Sequence, residues 1–196
     1  MTRLLSLLTG LILLAGCATQ SIENEPKVPL GDFSLGHNVV VASKMAKGPI
    51  SREATADEWI AALRKGIDTR FGRYEGEALY HLGISVEGYM LAPGGIPVLY
   101  SPKSALIIFV TVWDDELGRK LNDEPHQLTI FESTDAGSVV VGSGHSRTKE
   151  EQMDLLSYNA AKAIETWLAD MHEQHGWFTD SPTFNPPTPK PETGDQ

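Results

Sequence analysis

Two histidines near the C-terminus have the type and spacing that could form part of a metal site. His172 and His175 lie three positions apart, with Asp170 and Glu173 beside them. This spacing can place two imidazoles on one face of a helix, and zinc accepts both imidazole and carboxylate ligands. Polar and cationic residues are also favoured at the C-terminus of any helix, and no third His or Cys ligand lies nearby in the sequence. We therefore expect a helix terminus here and no metal site.

Residues 114–124 contain five carboxylates, which are the ligands that calcium prefers. The segment lacks the glycine at the sixth position and the terminal bidentate Glu of a calcium-binding loop. Arg119 and Lys120 also balance part of its negative charge. The pattern favours a solvated connection between two strands over a cation site.

Residues 142–146, Gly-Ser-Gly-His-Ser, combine a hydroxyl nucleophile with a histidine in a glycine-rich turn. The segment lacks the third glycine of a dinucleotide-binding loop and the Gly-Lys-Ser/Thr of a nucleotide-binding loop. It is not the Gly-x-Ser-x-Gly of a hydrolase elbow either. His145 and Ser146 are neighbours in sequence, which does not make them a catalytic pair. We expect a flexible turn that leads into a capped helix, no catalytic residue, no cofactor, and a protein that is not an enzyme.

The single cysteine follows an apolar run near the N-terminus. Residues 4–15 are apolar and come after Arg3, and the run is shorter than the ~20 residues of a membrane-spanning helix. It has the length of a signal-peptide core. The sequence Leu14-Ala15-Gly16-Cys17 resembles the lipobox of bacterial lipoproteins. The alternative is an ordinary secretory signal with a chance cysteine.

The lipobox resemblance implies cleavage before Cys17, which would carry a diacylglycerol and an N-acyl chain. Ala18, rather than Asp, follows it, which by resemblance to enteric sorting implies the outer membrane, facing the periplasm. Lipidation would consume the only thiol and so exclude thiol catalysis. Loss of Arg3 with the signal peptide changes the net charge from −10 to −11. Since phosphates repel an acidic protein, we exclude nucleic acid as a partner and expect contact with the membrane through the lipid.

The composition predicts one folded domain between two polar ends. A chain of 196 residues with 41% hydrophobic residues can bury a core, and one cysteine excludes an intramolecular disulfide framework. We expect a signal peptide over 1–16, a lipidated Cys with a flexible tether over 17–36, and a globular domain over 37–178. Five prolines among polar residues predict a disordered tail over 179–196.

Two capping boxes predict the helices of this domain. Thr55 with Glu58 precedes apolar residues at helical spacing up to Gly72, and Thr148 with Glu151 precedes a second such run that ends before Gly176. We expect the second helix over about 149–173, with Trp177 and Phe178 folded back onto the core.

Apolar and alternating runs predict five strands, and the run over 104–113 is apolar on both faces, as in a central strand covered on both sides. The element order is β-α-β-β-β-β-α. It predicts an α+β single domain, with a mostly antiparallel sheet of about four or five strands and two helices packed on one face. In this order the body resembles uncharacterised small envelope lipoproteins of Gram-negative bacteria. The predicted strands cover residues 38–42, 82–90, 104–113, 127–133 and 139–144. The first is expected to be a short buried strand, and the alternation in the second predicts a half-exposed strand.

One connection, residues 93–102, is unusually apolar for a loop. Its large side chains either extend the core or form a contact surface for a partner protein or an acyl chain. The function we expect is that of a membrane-anchored, non-catalytic module for binding, assembly or transport in the cell envelope, in contact with another envelope protein. A periplasmic carrier of a lipid or small ligand is the alternative, and an enzyme without a recognisable motif is a third reading. The apolar loop side chains are Ile96, Val98, Leu99 and Tyr100.

Overall fold

The structure is a computed structural model that describes residues 25–93, 103–132 and 147–179. Several predicted features lie outside the described residues: the predicted signal peptide, Cys17, the four apolar residues of the 93–102 loop, the strand expected over 139–144, the turn expected over 142–146 and the tail from 180 onward. The predictions made for those segments stay predictions.

Both predicted helices form, and both begin at the predicted capping boxes. Helix α1 spans Ala56–Phe71 and helix α2 spans Lys149–His175. Thr55 and Thr148 each accept from the backbone of a glutamate three residues later, whose carboxylate accepts from the threonine backbone. Gly176 ends α2 at φ 66°, a left-handed conformation that glycine adopts without steric cost. In the described part of the chain, neither helix is long and apolar enough to cross a membrane.

Within the described residues, six strands form one mixed sheet, and two of them contain only two residues. β1 and β2 both pair in parallel with β3, because α1 connects them to it. β4 pairs antiparallel with β3 on one side and with β5 and β6 on the other. The strands are β1 Ser34–Val41, β2 Ala46–Lys47, β3 Leu79–Met90, β4 Ala105–Asp114, β5 Arg119–Lys120 and β6 His126–Phe131.

Both helices pack on the same face of the sheet, and the core lies between the two layers. Trp59, Leu63 and Ile67 of α1 and Ile164 and Leu168 of α2 are fully buried against the inward side chains of the strands. The α+β prediction, with two helices on one face of a mainly antiparallel sheet, is confirmed. Trp177 and Phe178 are buried as well, so the predicted return of the chain onto the core is also confirmed.

The prediction that residues 104–113 are covered on both faces is wrong. β4 is a central strand, but its exposure alternates: Ile108 and Val110 are buried, whereas Ile107 and Trp113 are exposed. The buried strand predicted over 38–42 alternates in the same way. An apolar residue on the outer side of a strand looks identical in sequence to one in the core, so composition alone does not reveal which face is covered.

The tether predicted over 17–36 is too long, because the structure packs its second half against the body. We call residues 25–33 the strap. Leu30 and Phe33 are each only 1% exposed, and both belong to the hydrophobic core. At the start of the strap, Glu25 accepts from Arg70 at 2.9 Å and contacts the Tyr158 hydroxyl. The folded body therefore includes the strap, which the prediction had assigned to the tether, and is not limited to residues from 37 onward.

We predict that the attachment of the strap weakens in acid. Burial raises the pKa of Glu25, but hydrogen bonds from Tyr158 and Arg70 and the charge of Arg70 outweigh it and hold that pKa below its ordinary value. A lowered folded-state pKa contributes stability above the ordinary value of 4.5, and this stability is lost as the pH falls through the folded-state pKa. Glu25→Gln should therefore lower the thermal midpoint at pH 7 and have little effect well below pH 4.5. Equal shifts at both pH values would contradict this.

Candidate functional site

The sheet has a second face that no described helix covers, and we call it the open face. Exposed apolar side chains from three strands lie on it: Val39 of β1 is 51% exposed, Trp113 of β4 40% and Phe131 of β6 50%. Isolated exposed apolar residues are ordinary, but a contiguous group of them marks an interaction surface in soluble proteins. The open face consists of the side chains of Val39, Val41, Gly83, Ser85, Ile107, Phe109, Thr111, Trp113, Gln127, Thr129 and Phe131.

The strand register places small side chains at the centre of the open face, between two margins formed by larger, mainly apolar side chains. Val41 of β1 pairs with Ser85 of β3, which pairs in turn with Phe109 of β4. One row along, Val39 is opposite Gly83. Small residues on the central strand thus lie between larger side chains on both neighbours. The result is a shallow trough that follows β3.

Gly83 lies in the middle of this trough, and the fold itself does not require a glycine there. A Cβ built on Gly83 would lie 3.8 Å from the carbonyl oxygen of Thr111 and 3.9 Å from its Cβ, which is ordinary contact. Gly83 is also not among the described glycines with positive φ. A glycine inside a strand weakens it and often marks a place where a ligand or another backbone approaches closely.

We predict that Gly83→Ala stabilises the isolated protein. Alanine at a position with room and with a permissive backbone raises the free energy of unfolding by ~0.5–1 kcal/mol, mainly because the unfolded chain loses freedom. Gly31→Ala is the control, and it should destabilise the protein. Gly31 has φ 69°, and an added Cβ would lie 2.4 Å from the carbonyl oxygen of Phe178. Urea unfolding of both variants tests this, and a destabilised Gly83→Ala would show that the fold needs this glycine.

Charged side chains border the open face but are absent from its described centre. Toward one end of β3, the Glu87 carboxylate accepts from the Ser85 hydroxyl at 2.6 Å. At the other end, His81 Nε2 lies 3.0 Å from the Asp115 carboxylate. Neutral polar and apolar groups make up the surface between them. Such a surface fits an uncharged apolar ligand or protein surface better than an ionic one.

The His81–Asp115 pair resembles a catalytic dyad, but its hydrogen bonds leave no free base. The backbone N–H of His37 donates to His81 Nδ1 at 2.8 Å, so this nitrogen is an acceptor. The ring proton is then on Nε2 and is donated to Asp115. A general base needs a nitrogen within reach of a substrate proton, and both nitrogens of His81 are already engaged. The pair joins β1, β3 and the turn after β4 structurally.

A polar cleft of about 310 Å³ lies at the β1 edge of the sheet, beside α1. Asn38 donates to the Arg64 carbonyl oxygen at 3.1 Å and to Asp68 at 3.0 Å, while Arg64 Nε donates to the Asn38 carbonyl oxygen at 3.2 Å. These hydrogen bonds fasten α1 to the edge strand. The cleft is lined by Gly36, His37, Asn38, Val39, Arg64 and Asp68.

The two histidines near the C-terminus, His172 and His175, lie in the last turn of α2. His172 Nδ1 contacts the carbonyl oxygen of Trp177, and its ring stacks over Phe178 at 6.4 Å, whereas His175 is exposed. No group of three or more metal-ligating side chains is found within 25–93, 103–132 and 147–179.

The carboxylates of residues 114–124 surround a tight connection between strands, as expected. Asp114 accepts from the Leu117 backbone at 2.8 Å, and Asn122 bonds both Val112 and Val110 of β4. The four apolar residues of the 93–102 loop, Ile96, Val98, Leu99 and Tyr100, lie outside the described residues. Their role as core or contact surface stays a prediction.

Sequence reasoning predicted the exposed side of β3 but missed the other strands of the open face, because the strands over 38–42 and 104–113 were expected to be buried. Gly83 and Ser85 lie on the side of β3 opposite Leu82, Ile84 and Val86. Small or polar residues at alternate positions are typical of a strand with one exposed face. This pattern did not show that exposed apolar side chains of β1 and β4 flank that face.

No family model and no curated protein matches the sequence. Solved structures with a similar arrangement include a Xanthomonas campestris protein assigned to the family DUF330, 14% identical over 78% of this chain and 92% of its own, with a TM-score of 0.40. A minor lipoprotein from Acinetobacter baumannii is 16% identical over 68% of this chain and 92% of its own, with a TM-score of 0.30. The PelC dodecamer from Paraburkholderia phytofirmans is 12% identical over 71% and 91%, with a TM-score of 0.39. Lipoproteins thus occur among the similar structures, and matches at this level do not show membership of a family.

Proposed function

We propose that this protein is a lipid-anchored, non-catalytic binding module of the cell envelope, attached to the outer membrane on its periplasmic side through Cys17. The open face is its binding surface. The observation that carries the proposal is the set of exposed apolar side chains on the side of the sheet away from the helices, with Val39, Val41 and Phe131 each about half exposed.

Burial of this surface against a partner supplies the energy for binding. Covering a Val, Ile or Phe side chain fully contributes ~1.5–3 kcal/mol, and the open face offers several that are half covered already. The space between sheet and helices supports the alternative of a lipid carrier less well. Fully buried side chains from both layers fill it, among them Trp59, Leu82, Ile108 and Leu168.

The anchor is tested by Cys17→Ser in the native cell. The lipobox resemblance supports acylation of Cys17, so the wild type should fractionate with membranes and carry the mass of its lipid. The Cys17→Ser variant should lose both properties. A wild type that is released in soluble form without added mass would overturn the anchored part of the proposal.

The binding surface is tested by Val41→Asp, with Ile50→Asp as a matched control. Both side chains are 47% exposed, but Ile50 lies in the connection between β2 and α1, outside the open face. A charge at Val41 would have to be desolvated when a partner covers the face, which costs several kcal/mol. We expect the wild type and Ile50→Asp to be extracted in mild detergent as a complex larger than the monomer, and Val41→Asp as the monomer.

Thermal unfolding of the same two variants provides the folding control. Because both positions are exposed, neither aspartate should change the free energy of unfolding by more than the ~0.5 kcal/mol typical of surface substitutions. Both variants should therefore keep thermal midpoints close to that of the wild type. A complex that survives Val41→Asp unchanged would show that the open face is not the binding surface.

A further inference from the structure

We propose that the helix layer of the anchored protein faces the membrane, and that the open face is directed away from it to receive a separate envelope protein with an apolar, uncharged contact surface. This inference rests on the proposed function and adds the orientation of the body and the class of partner. It is carried by the place where the strap begins and by the number of residues between that place and Cys17.

The strap begins on the outer side of the helix layer. Glu25 contacts Tyr158 and lies 3.5 Å from Lys162 Nζ, and both partners are on α2. Each of them is two residues from Ala160, which is fully buried and belongs to the core between helices and sheet. Two residues turn an α-helix by ~200°, so Tyr158 and Lys162 lie on the side opposite the sheet. Glu25, the first residue that the structure describes, therefore lies on the face of the domain opposite the open face.

The chain between Cys17 and Glu25 is short compared with the domain. Eight residue steps separate the two, and they span at most ~29 Å whatever their conformation. To bring the open face onto the bilayer, this segment would have to pass around a helix layer of ~10 Å and a sheet layer of ~10 Å. It would also have to cross half the width of four adjacent strands, a further ~10 Å. The whole path is ~30 Å, which equals the fully extended length of the segment between Cys17 and Glu25. With the helix layer toward the membrane, the segment does not have to be extended.

The same orientation excludes two occupants of the open face. The bilayer lies on the other side of the domain. A second anchored copy would have its own open face directed away from the membrane, so the two faces could not meet across a two-fold axis in one membrane. The remaining occupant is a different protein that approaches from the side away from the membrane.

The side chains of the open face indicate the shape and charge of the contact surface that the partner should have. The trough along Gly83 and Ser85 accepts a narrow protruding element, and the margins formed by Val41 and Phe109 contact apolar side chains. Glu87 contacts Ser85 at one end of the trough and Asp115 contacts His81 beyond the other end, so the contact surface of the partner should be neutral between these two ends. An apolar loop or strand of an envelope protein has this character.

Energy transfer to the bilayer surface tests the orientation. Acylation of Cys17 leaves no other thiol, so single cysteines introduced by Ala61→Cys or Val39→Cys can be labelled uniquely. Ala61 is exposed on α1 two residues from buried Leu63, and hence on the outer side of the helices, whereas Val39 is on the open face. The lipidated full chain carrying a donor dye is placed in phosphatidylethanolamine–phosphatidylglycerol vesicles with acceptor dyes on the lipid headgroups.

We expect the donor at Ala61→Cys to lose roughly twice as much emission as the donor at Val39→Cys, because the two positions differ by ~20 Å along the membrane normal. Greater loss from Val39→Cys would overturn the orientation. A shift of the emission wavelength of the donor at Val39→Cys to the value typical of an apolar medium would identify the bilayer as the occupant. Self-quenching between donors at Val39→Cys would identify a second copy, and either result would overturn the proposal.

Failure of this inference is distinct from failure of the proposed function. If the open face binds a partner in another orientation, Val41→Asp still dissociates the extracted complex while the energy-transfer order is reversed. If the open face binds nothing, the extracted mass is the same for wild type and Val41→Asp whatever the orientation. The two experiments together assign each outcome to one claim.

Discussion

Glu165→Ala is expected to destabilise the protein by ~3–5 kcal/mol, because it leaves a buried arginine without its main counter-charge. Arg70 is 1% exposed and Glu165 2%, and their nearest atoms lie 2.7 Å apart. Glu165 also accepts from Arg73 at 3.2 Å and lies 2.6 Å from the Tyr74 hydroxyl. Among the carboxylates that the structure describes next to Arg70, removal of Glu165 leaves Glu25, which is on the strap. For a body of this size the loss corresponds to a thermal midpoint lowered by roughly 10–15 °C.

Asp154→Ala provides the control between the same two helices. Asp154 pairs with Lys65 at 3.5 Å, and the two side chains are largely exposed. Exposed pairs contribute ~0–1 kcal/mol, so this variant should unfold within a few degrees of the wild type. Comparable destabilisation by Asp154→Ala and Glu165→Ala would contradict the assignment of Arg70–Glu165 as the main ionic contact between the helices.

Phe33→Ala is expected to lower the free energy of unfolding by ~3–5 kcal/mol, although Phe33 precedes every helix and strand of the described residues. The Phe33 ring stacks on Tyr80 with centroids 5.6 Å apart and meets Phe178 edge-on at 5.1 Å. Its loss opens a cavity where the strap, the sheet and the segment after α2 meet. Equilibrium unfolding in urea measures the effect directly.

Val39→Ala is the comparison for Phe33→Ala. Val39 is six residues further along and half exposed on the open face, so its truncation should cost less than ~0.5 kcal/mol. If Phe33→Ala were as mild as Val39→Ala, the strap would not be part of the folded body. The orientation derived from Glu25 would then lose its basis.

The helices could be predicted in detail because their signals are local. The capping boxes at Thr55 and Thr148 and the terminal Gly176 act within one turn of the helix, so a few adjacent residues determine each boundary. The alternating pattern around Leu82 and Ile84 is local as well, and it predicted a half-exposed β3 correctly.

The strap and the open face could not be predicted in this way, because both depend on contacts between distant residues. Leu30 and Phe33 are isolated apolar residues in a polar segment with prolines, and only their packing against Tyr80 and Phe178 places them in the core. Ile107 and Ile108 are chemically equivalent neighbours, yet one is exposed and the other is buried. Which of them the helices cover is decided by the register of β4 against β3.

The buried cluster and the open face have separate roles in this account. Arg70, Glu165 and Glu25 join the two helices to the strap, so they set where the chain toward Cys17 leaves the body. The sheet then presents its open face on the opposite side. Substitutions in the cluster should reduce stability, whereas substitutions on the open face should reduce binding without unfolding the protein.

The most direct test of the open face as the binding surface combines a crosslinking probe with Gly83→Ala. A photo-crosslinking phenylalanine derivative is introduced at Phe109 in the native cell, and at Ile50 as the control. We predict one adduct of discrete mass from Phe109 and none of that mass from Ile50. The extra methyl of Gly83→Ala should weaken binding by ~1–3 kcal/mol, or roughly 5- to 150-fold, and so diminish the adduct while the protein becomes slightly more stable. An adduct that forms equally from both positions, or that Gly83→Ala leaves unchanged, would contradict the account.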